Sequence, residues 1–250
     1  MKGLLLILLS VTLLLPLAGA SADETVPASF RFGADVSTVL SEENSGVVYR
    51  NRDGEPTDLF VLLKEAGWDT VRVRVWNDPF DEDGRGYGGG NCGVANAVEI
   101  ARRCKEAGLS LIVDFHYSDF WADPAKQMSP KVWVTMDLTQ KCSALYAFTT
   151  DALTQIAATG VDIWMVQVGN EINNGMCGET DASNVRKLLA SGSKAVRDGN
   201  ILVPFSPEAP LSAQPCPMRW WQCISPTSVN RTQRSTSARS ARAIRRLIST

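Results

Sequence analysis

The sequence predicts a (β/α)8 TIM barrel, with about the first four to five strand–helix units present. Three observations carry this prediction. Short apolar runs alternate with amphipathic, helix-period stretches from Phe30 to about Arg197. The apolar runs are rich in Val and nearly continuous, as strands buried in a parallel sheet must be. Polar and aromatic residues gather directly after four of the runs, at Asp35-Val36-Ser37, Trp76-Asn77-Asp78, His116-Tyr117-Ser118-Asp119 and Asn170-Glu171. The carboxyl ends of parallel strands are where such folds hold their ligand chemistry. An open doubly wound sheet shares these features, but no Gly-rich phosphate loop follows the first strand, and this favours the barrel.

In chain order, the leader comes first. Met1-Lys2 precedes an apolar run from Leu4 to Leu17, followed by the small residues Ala18-Gly19-Ala20 and Ala20-Ser21-Ala22. Residues 1–22 therefore read as a signal peptide: the run is short for a membrane span and ends in small-residue cleavage sites. A secreted, extracellular, soluble protein with no membrane contact after signal removal is expected.

Strand-like runs follow at Phe30–Val36, Thr70–Trp76, Ser110–His116 and Asp162–Val168. Helix-like stretches occupy Thr57–Ala66, Val94–Ala107, roughly Leu138–Thr159 and Ala182–Ala195. Gly67 and Gly108 sit where helix C-terminal caps belong. Between the second strand and its helix, Gly84 to Gly90 lacks a following Lys-Ser/Thr, so it is no phosphate loop and reads as a flexible loop beside the cleft.

After Asp198 the composition changes. Residues 201–250 hold seven Arg, no Lys, no Asp, six Pro, eight Ser and a single acid, Glu208. Pro204, Pro207 and Pro210 interrupt the strand that Ile201-Leu202-Val203 would otherwise begin. The expected organisation is thus a barrel part over 23–198 and a Pro/Ser/Arg-rich segment over 199–250, either disordered or frameshifted.

Bulk charge excludes some partners. With 27 acidic and 25 basic side chains, the net charge of −2 gives no reason to expect nucleic acid, and a monomer is expected. Six cysteines in a secreted chain suggest disulfides as accessories to a core, with connectivity open. Their wide spacing and a single His argue against a zinc site, so neither metal nor cofactor is expected.

The chemistry centres on Val166-Gln167-Val168-Gly169-Asn170-Glu171, an apolar strand ending in an amide and a carboxylate. Retaining glycosidases use such a carboxylate as acid and then base, opposite a second carboxylate on the other face of the sugar. Glu171 would protonate the departing glycosidic oxygen and deprotonate the incoming water. Asn170 would hydrogen-bond the sugar 2-hydroxyl. Arg72, Arg74 and Trp76 alternate with Val71, Val73 and Val75, which places all three on one strand face. Buried arginines need partners, for which Asp35 and Asp114 are the candidates, and Arg72 is the guanidinium expected to keep a catalytic carboxylate ionised. His116 is expected to orient the acid or bind a hydroxyl rather than transfer protons. Trp121 and Trp76 are candidates for stacking on sugar faces, Trp121 the better placed because it lies past the strand.

Together with Phe32-Gly33-Ala34-Asp35-Val36-Ser37, the stretches Val71-Arg72-Val73-Arg74-Val75-Trp76-Asn77-Asp78-Pro79, Gly86-Tyr87-Gly88-Gly89-Gly90-Asn91, Asp114-Phe115-His116-Tyr117-Ser118-Asp119-Phe120-Trp121-Ala122-Asp123-Pro124 and Gln167-Val168-Gly169-Asn170-Glu171 resemble the secreted arabinogalactan endo-β-1,4-galactanases, glycoside hydrolase family 53. The likeness runs from about Phe30 to Asp198. It implies hydrolysis of β-1,4-galactan, the arabinogalactan side chains of pectin, with retention. It maps the family's acid/base onto Glu171. The family's nucleophile, a Glu after the seventh strand, has no matching position, and Glu208 comes too early to serve. Two other readings stay open: a barrel glycosidase for β-1,4-mannan, xylan or glucan, and a truncated saccharide-binding fragment without activity.

Overall fold

A computed structural model describes residues 31–199. The predicted signal peptide, the segment from 200 onward and Glu208 lie outside the described residues. Within them, strands β1 (Gly33–Asp35), β2 (Thr70–Val75), β3 (Ser110–Phe115) and β4 (Ile163–Val168) alternate with helices α1 (Val39–Asn44), α2 (Leu59–Glu65), α3 (Val94–Ala107), α4 (Leu138–Ala157) and α5 (Ala182–Asp198). All pairings are parallel and the order is β1-β2-β3-β4.

That order decides between the two candidate folds. A doubly wound sheet reverses direction at a switch point, whereas here each new strand is added on the same side as the last. With right-handed crossovers, such an order puts every helix on one face of the sheet. The helices accordingly pack in sequence, α2 on α3, α3 on α4 and α4 on α5. These are four strand–helix units of a barrel wall.

Local sequence explains the boundaries. Asp58 accepts a hydrogen bond from the Phe60 amide at 2.7 Å, so α2 begins after it rather than at Thr57. Asp137 and Gln140 form a reciprocal capping box that starts α4, and Asp181 caps α5 through the Ser183 and Asn184 amides. Gly108 ends α3 in the left-handed region, as expected. Strand β1 is only three residues long, shorter than the predicted Phe30–Val36. Helix α1, six residues, was not anticipated because so short a segment shows no full helical period.

Period-two alternation divides the sheet into two chemically distinct faces. Val71, Val73, Val75, Leu111, Val113 and Phe115 point towards the helices and join Ile100, Leu145, Leu153 and Ile156 in the core. The opposite face carries Asp35, Arg72, Arg74, Asp114 and Gln167. Strand register sets Asp35 beside Arg72, and Arg74, Asp114 and Gln167 in one row. Five of the six residues of β2 and of β3 are buried, but only Ile163 of β4 is.

Candidate active site

At the carboxyl ends of the strands the polar face closes around one guanidinium. Arg72 Nη1 donates to Asp35 Oδ2 at 2.6 Å, and Nη2 donates to Asp114 Oδ2 at 2.5 Å, Asn170 Oδ1 at 3.1 Å and Gln167 Oε1 at 3.3 Å. Side chains from all four strand regions thus converge on Arg72. Both predicted ion pairs form. Among the described residues, the carboxylates that Arg72 reaches are Asp35 and Asp114, and it makes no contact with Glu171.

Burial pushes the Asp35 carboxyl up, but the Ser37 hydroxyl and amide, at 2.6 and 3.0 Å, together with Arg74 and Arg72, outweigh it. The net effect holds Asp35 below the ordinary carboxylate range. Expected as a substrate ligand, Asp35 is thus already engaged by protein groups.

His116 is fully enclosed. Its Nδ1 accepts from the Ala122 amide at 3.0 Å, so its proton sits on Nε2 and is donated to Asp114 Oδ2 at 3.1 Å. Both ring nitrogens are occupied. Neither nitrogen is free for a sugar hydroxyl, and the groups His116 holds are Asp114 and the Ala122 amide rather than Glu171.

Trp76, expected to touch substrate, has no exposed surface. Its ring lies beneath Phe120 (centroids 5.0 Å apart) and Trp121 (5.9 Å). The Gly-rich loop completes the cover: a Cβ on Gly89 would stand 3.1 Å from both Trp76 and Trp121. Alternation correctly placed Trp76 on the polar face but gave no signal that a loop would seal it. The loop is also pinned rather than loose, with Tyr87 N–H on Pro79 O at 2.9 Å and Gly88 N–H on Asn91 Oδ1 at 2.8 Å. Trp121 is 39% exposed and is backed by the Arg74 guanidinium 4.1 Å from its ring centre. That leaves a wide aromatic surface open beside the strand ends, suited to the C–H face of a sugar.

Glu171 follows β4 after Gly169 and Asn170. It occupies the left-handed region, φ 47° and ψ 45°, and Tyr117, just past β3, does likewise at φ 49°. Such backbone costs on the order of 1–2 kcal/mol for a residue with a Cβ, and it gathers at functional sites. Glu171 is partly exposed, and its carboxylate takes no hydrogen bond or ion pair among the described residues. It is therefore available to a ligand.

Asn170 is held from both sides. Its Oδ1 faces Arg72 and also accepts from Gln167 Nε2 at 3.2 Å, while Nδ2 donates to Ala122 O at 2.7 Å. This fixes the amide's orientation and leaves its second N–H for an incoming acceptor.

Sequence reasoning missed Gln127. Its Nε2 meets three carbonyl oxygens, of Asn170 at 2.9 Å, Glu171 at 3.1 Å and Asp123 at 3.1 Å. A polar residue in an irregular loop has no periodicity to mark it. Asp119, whose carboxyl burial pushes up despite backbone donors from Lys131 and Asp78, anchors the same loop region.

Of the six cysteines expected to form disulfides, the four described ones, Cys92, Cys104, Cys142 and Cys177, are free, while Cys216 and Cys223 lie outside the described residues. Burial pushes the Cys92 and Cys177 thiols up to about 11 and Cys104 up to about 12, so these three act as small apolar core residues. No group of His, Cys, Asp and Glu among the described residues is arranged to hold a metal ion. Among those residues, too, no helix is long and apolar enough to cross a membrane.

Comparison with known proteins converges on one family. The model of glycosyl hydrolase family 53 matches residues 31–210. The endo-β-1,4-galactanase of Bacillus subtilis is 50% identical over 182 residues, which cover 72% of this chain and 42% of that protein. The arabinogalactan endo-β-1,4-galactanase of Humicola insolens is 38% identical over 173 residues, covering 68% of this chain and 49% of that one. Among solved structures, the family 53 catalytic domain of Ignisphaera aggregans superposes with a TM-score of 0.67 at 40% identity, covering 70% of this chain and 50% of that chain. A fungal β-1,4-galactanase superposes at 0.61 with 37% identity, covering 68% and 50%. The chain spans about half the length of the curated relatives it matches.

Proposed function

The chain belongs to glycosyl hydrolase family 53, and on that premise we propose that its strand ends carry the acid/base half of a site that cleaves β-1,4-galactan, the arabinogalactan side chain of pectin, with retention. One observation supports this above the rest. Glu171 is partly exposed and its carboxylate has no partner among the described residues, next to an Asn170 amide that Arg72 and Ala122 orient. An acid/base must reach the glycosidic oxygen and stay free of competing ion pairs, and Glu171 meets both conditions. The Trp121 face supplies the apolar floor, and Arg72 fixes Asn170 for the sugar 2-hydroxyl. The leader-like residues 1–22 add secretion to the proposal.

A retaining mechanism needs a second carboxylate about 5–5.5 Å from the first. Asp35 and Asp114, the other acids of the polar face, are committed to Arg72. Among the described residues, no other acid of that face is free to act as nucleophile. The described residues therefore supply the acid/base half alone, and a second reading is that they bind galactan without cleaving it.

Reducing-end release from β-1,4-galactan, alongside β-1,4-mannan, xylan and glucan, tests both readings. Binding of β-1,4-galactotetraose with little or no release fits the acid/base half-site. Robust release abolished by Glu171→Gln would establish activity and require a nucleophile within the chain. Preference for another β-1,4-glycan would overturn galactan as the substrate.

A further inference from the structure

We infer that Gln127 is a positioning residue for the site: its side-chain amide clamps the Asn170–Glu171 backbone in the left-handed turn that presents the Glu171 carboxylate. The inference rests on the reading of Glu171 as the acid/base.

Three carbonyl oxygens surround Gln127 Nε2, those of Asp123, Asn170 and Glu171 at 2.9–3.1 Å. Only an NH2 group can face three acceptors, so the amide orientation is chemically determined. The arrangement leaves Gln127 Oε1 buried without a hydrogen-bond partner among the described residues. An orphaned buried acceptor is costly, so a merely structural position would be better filled by an apolar side chain. What the amide gains in return is contact with two consecutive carbonyls, one of them belonging to a residue at φ 47°.

The turn needs such support because Glu171 sits in the left-handed region, which is costly for a residue with a Cβ. Other bonds join the same two loops at different points: Asn170 Nδ2 to Ala122 O at 2.7 Å, Asn174 Nδ2 to Pro124 O at 2.9 Å and Gly178 N–H to Gln127 O at 2.5 Å. Among the described residues, Gln127 is the one whose side chain reaches the Glu171 carbonyl.

Gln127→Met in the full chain keeps the side-chain volume and removes the donor. Isotope-labelled protein reports the backbone shifts of Asn170 and Glu171, and titration with β-1,4-galactotetraose reports binding. Gln127→Met is expected to move both residues' backbone shifts and to weaken binding by about tenfold, roughly the loss of one or two hydrogen bonds. Asn174→Ala, which cuts a different stitch between the same loops, is expected to leave the Glu171 shifts and the affinity within about twofold of wild type. Glu171 shifts unchanged by Gln127→Met overturn the inference, as does an equal response to Asn174→Ala, which would mark general loop loosening. A wild-type chain whose Asn170 and Glu171 resonances ignore galactotetraose overturns the parent reading instead, and is told apart because the Gln127→Met shifts are measured without sugar. Should Gln127→Met fail to fold, Gln127→Glu tests the same point: carboxylate oxygens against three carbonyls must displace the turn, and unmoved Glu171 shifts would again overturn the inference.

Discussion

Strands β2 and β3 differ from β4 in how they hold their functional residues. The two central strands are buried on nearly every residue, and their polar face is fixed by packing on the far side against the helices. Arg72, Asp114 and His116 inherit that rigidity. Strand β4 is the last strand among the described residues, and it leads to Glu171, the proposed acid/base. Its end is tied by hydrogen bonds to the loop after β3. Among the described residues, apolar packing fixes the central strands, while a small set of directional polar contacts fixes the turn that carries Glu171.

Core truncation should break this contrast most visibly. Phe115→Ala removes a fully enclosed ring from β3 and is expected to lower unfolding stability by about 3–5 kcal/mol. Val166→Ala on partly buried β4 should cost no more than about 1.5 kcal/mol. Urea denaturation of the two variants measures the difference, and equal losses would contradict it.

Arg72→Met comes next. It leaves Asp114, with no exposed surface, without its cation, and a loss of about 3 kcal/mol is expected. Adding Asp114→Asn should recover part of that loss, and full additivity in the denaturation cycle would mean the two do not interact.

Trp121→Ala tests the open aromatic face, since the ring is 39% exposed. Calorimetric titration should show galactotetraose bound about tenfold more weakly, the loss of one stacked aromatic face. An unchanged affinity would remove Trp121 from the site.

The smallest effect concerns acid. Asp35 is held below its ordinary range in the folded chain by Ser37, Arg74 and Arg72 acting against burial. A depressed folded value means that its stabilisation is present above the unfolded value of about 3.9 and is lost as pH falls through the lower folded one. Stability should therefore fall below about pH 4, and Asp35→Asn should flatten part of that fall. An identical acid limb in the variant would show that Asp35 contributes nothing there.

Much of the scaffold was legible because it follows periodicity. Strands β2 to β4 and helices α3 to α5 lie close to where alternation and amphipathic spacing put them, and Gly108 caps as its position suggests. Asp35, Arg72, Asn170 and His116 were legible as a set, since alternation and strand ends bring them to one face. Their contacts were not. The sealing of Trp76 depends on Gly89, and the engagement of both His116 nitrogens depends on the Ala122 amide. Gln127 acts across 43 residues of sequence on Asn170, and α1 was too short to show a period. Loop-to-loop geometry of this kind leaves no local pattern.

The claim that Glu171 and Asn170 form the acid/base end of a galactan site is tested most directly by a crystal structure of the chain with β-1,4-galactotetraose. The account predicts the Glu171 carboxylate within about 3 Å of a glycosidic oxygen, the free Asn170 N–H on a 2-hydroxyl and a sugar ring over Trp121. A sugar bound away from β4, or bound there with Glu171 facing solvent, would contradict it.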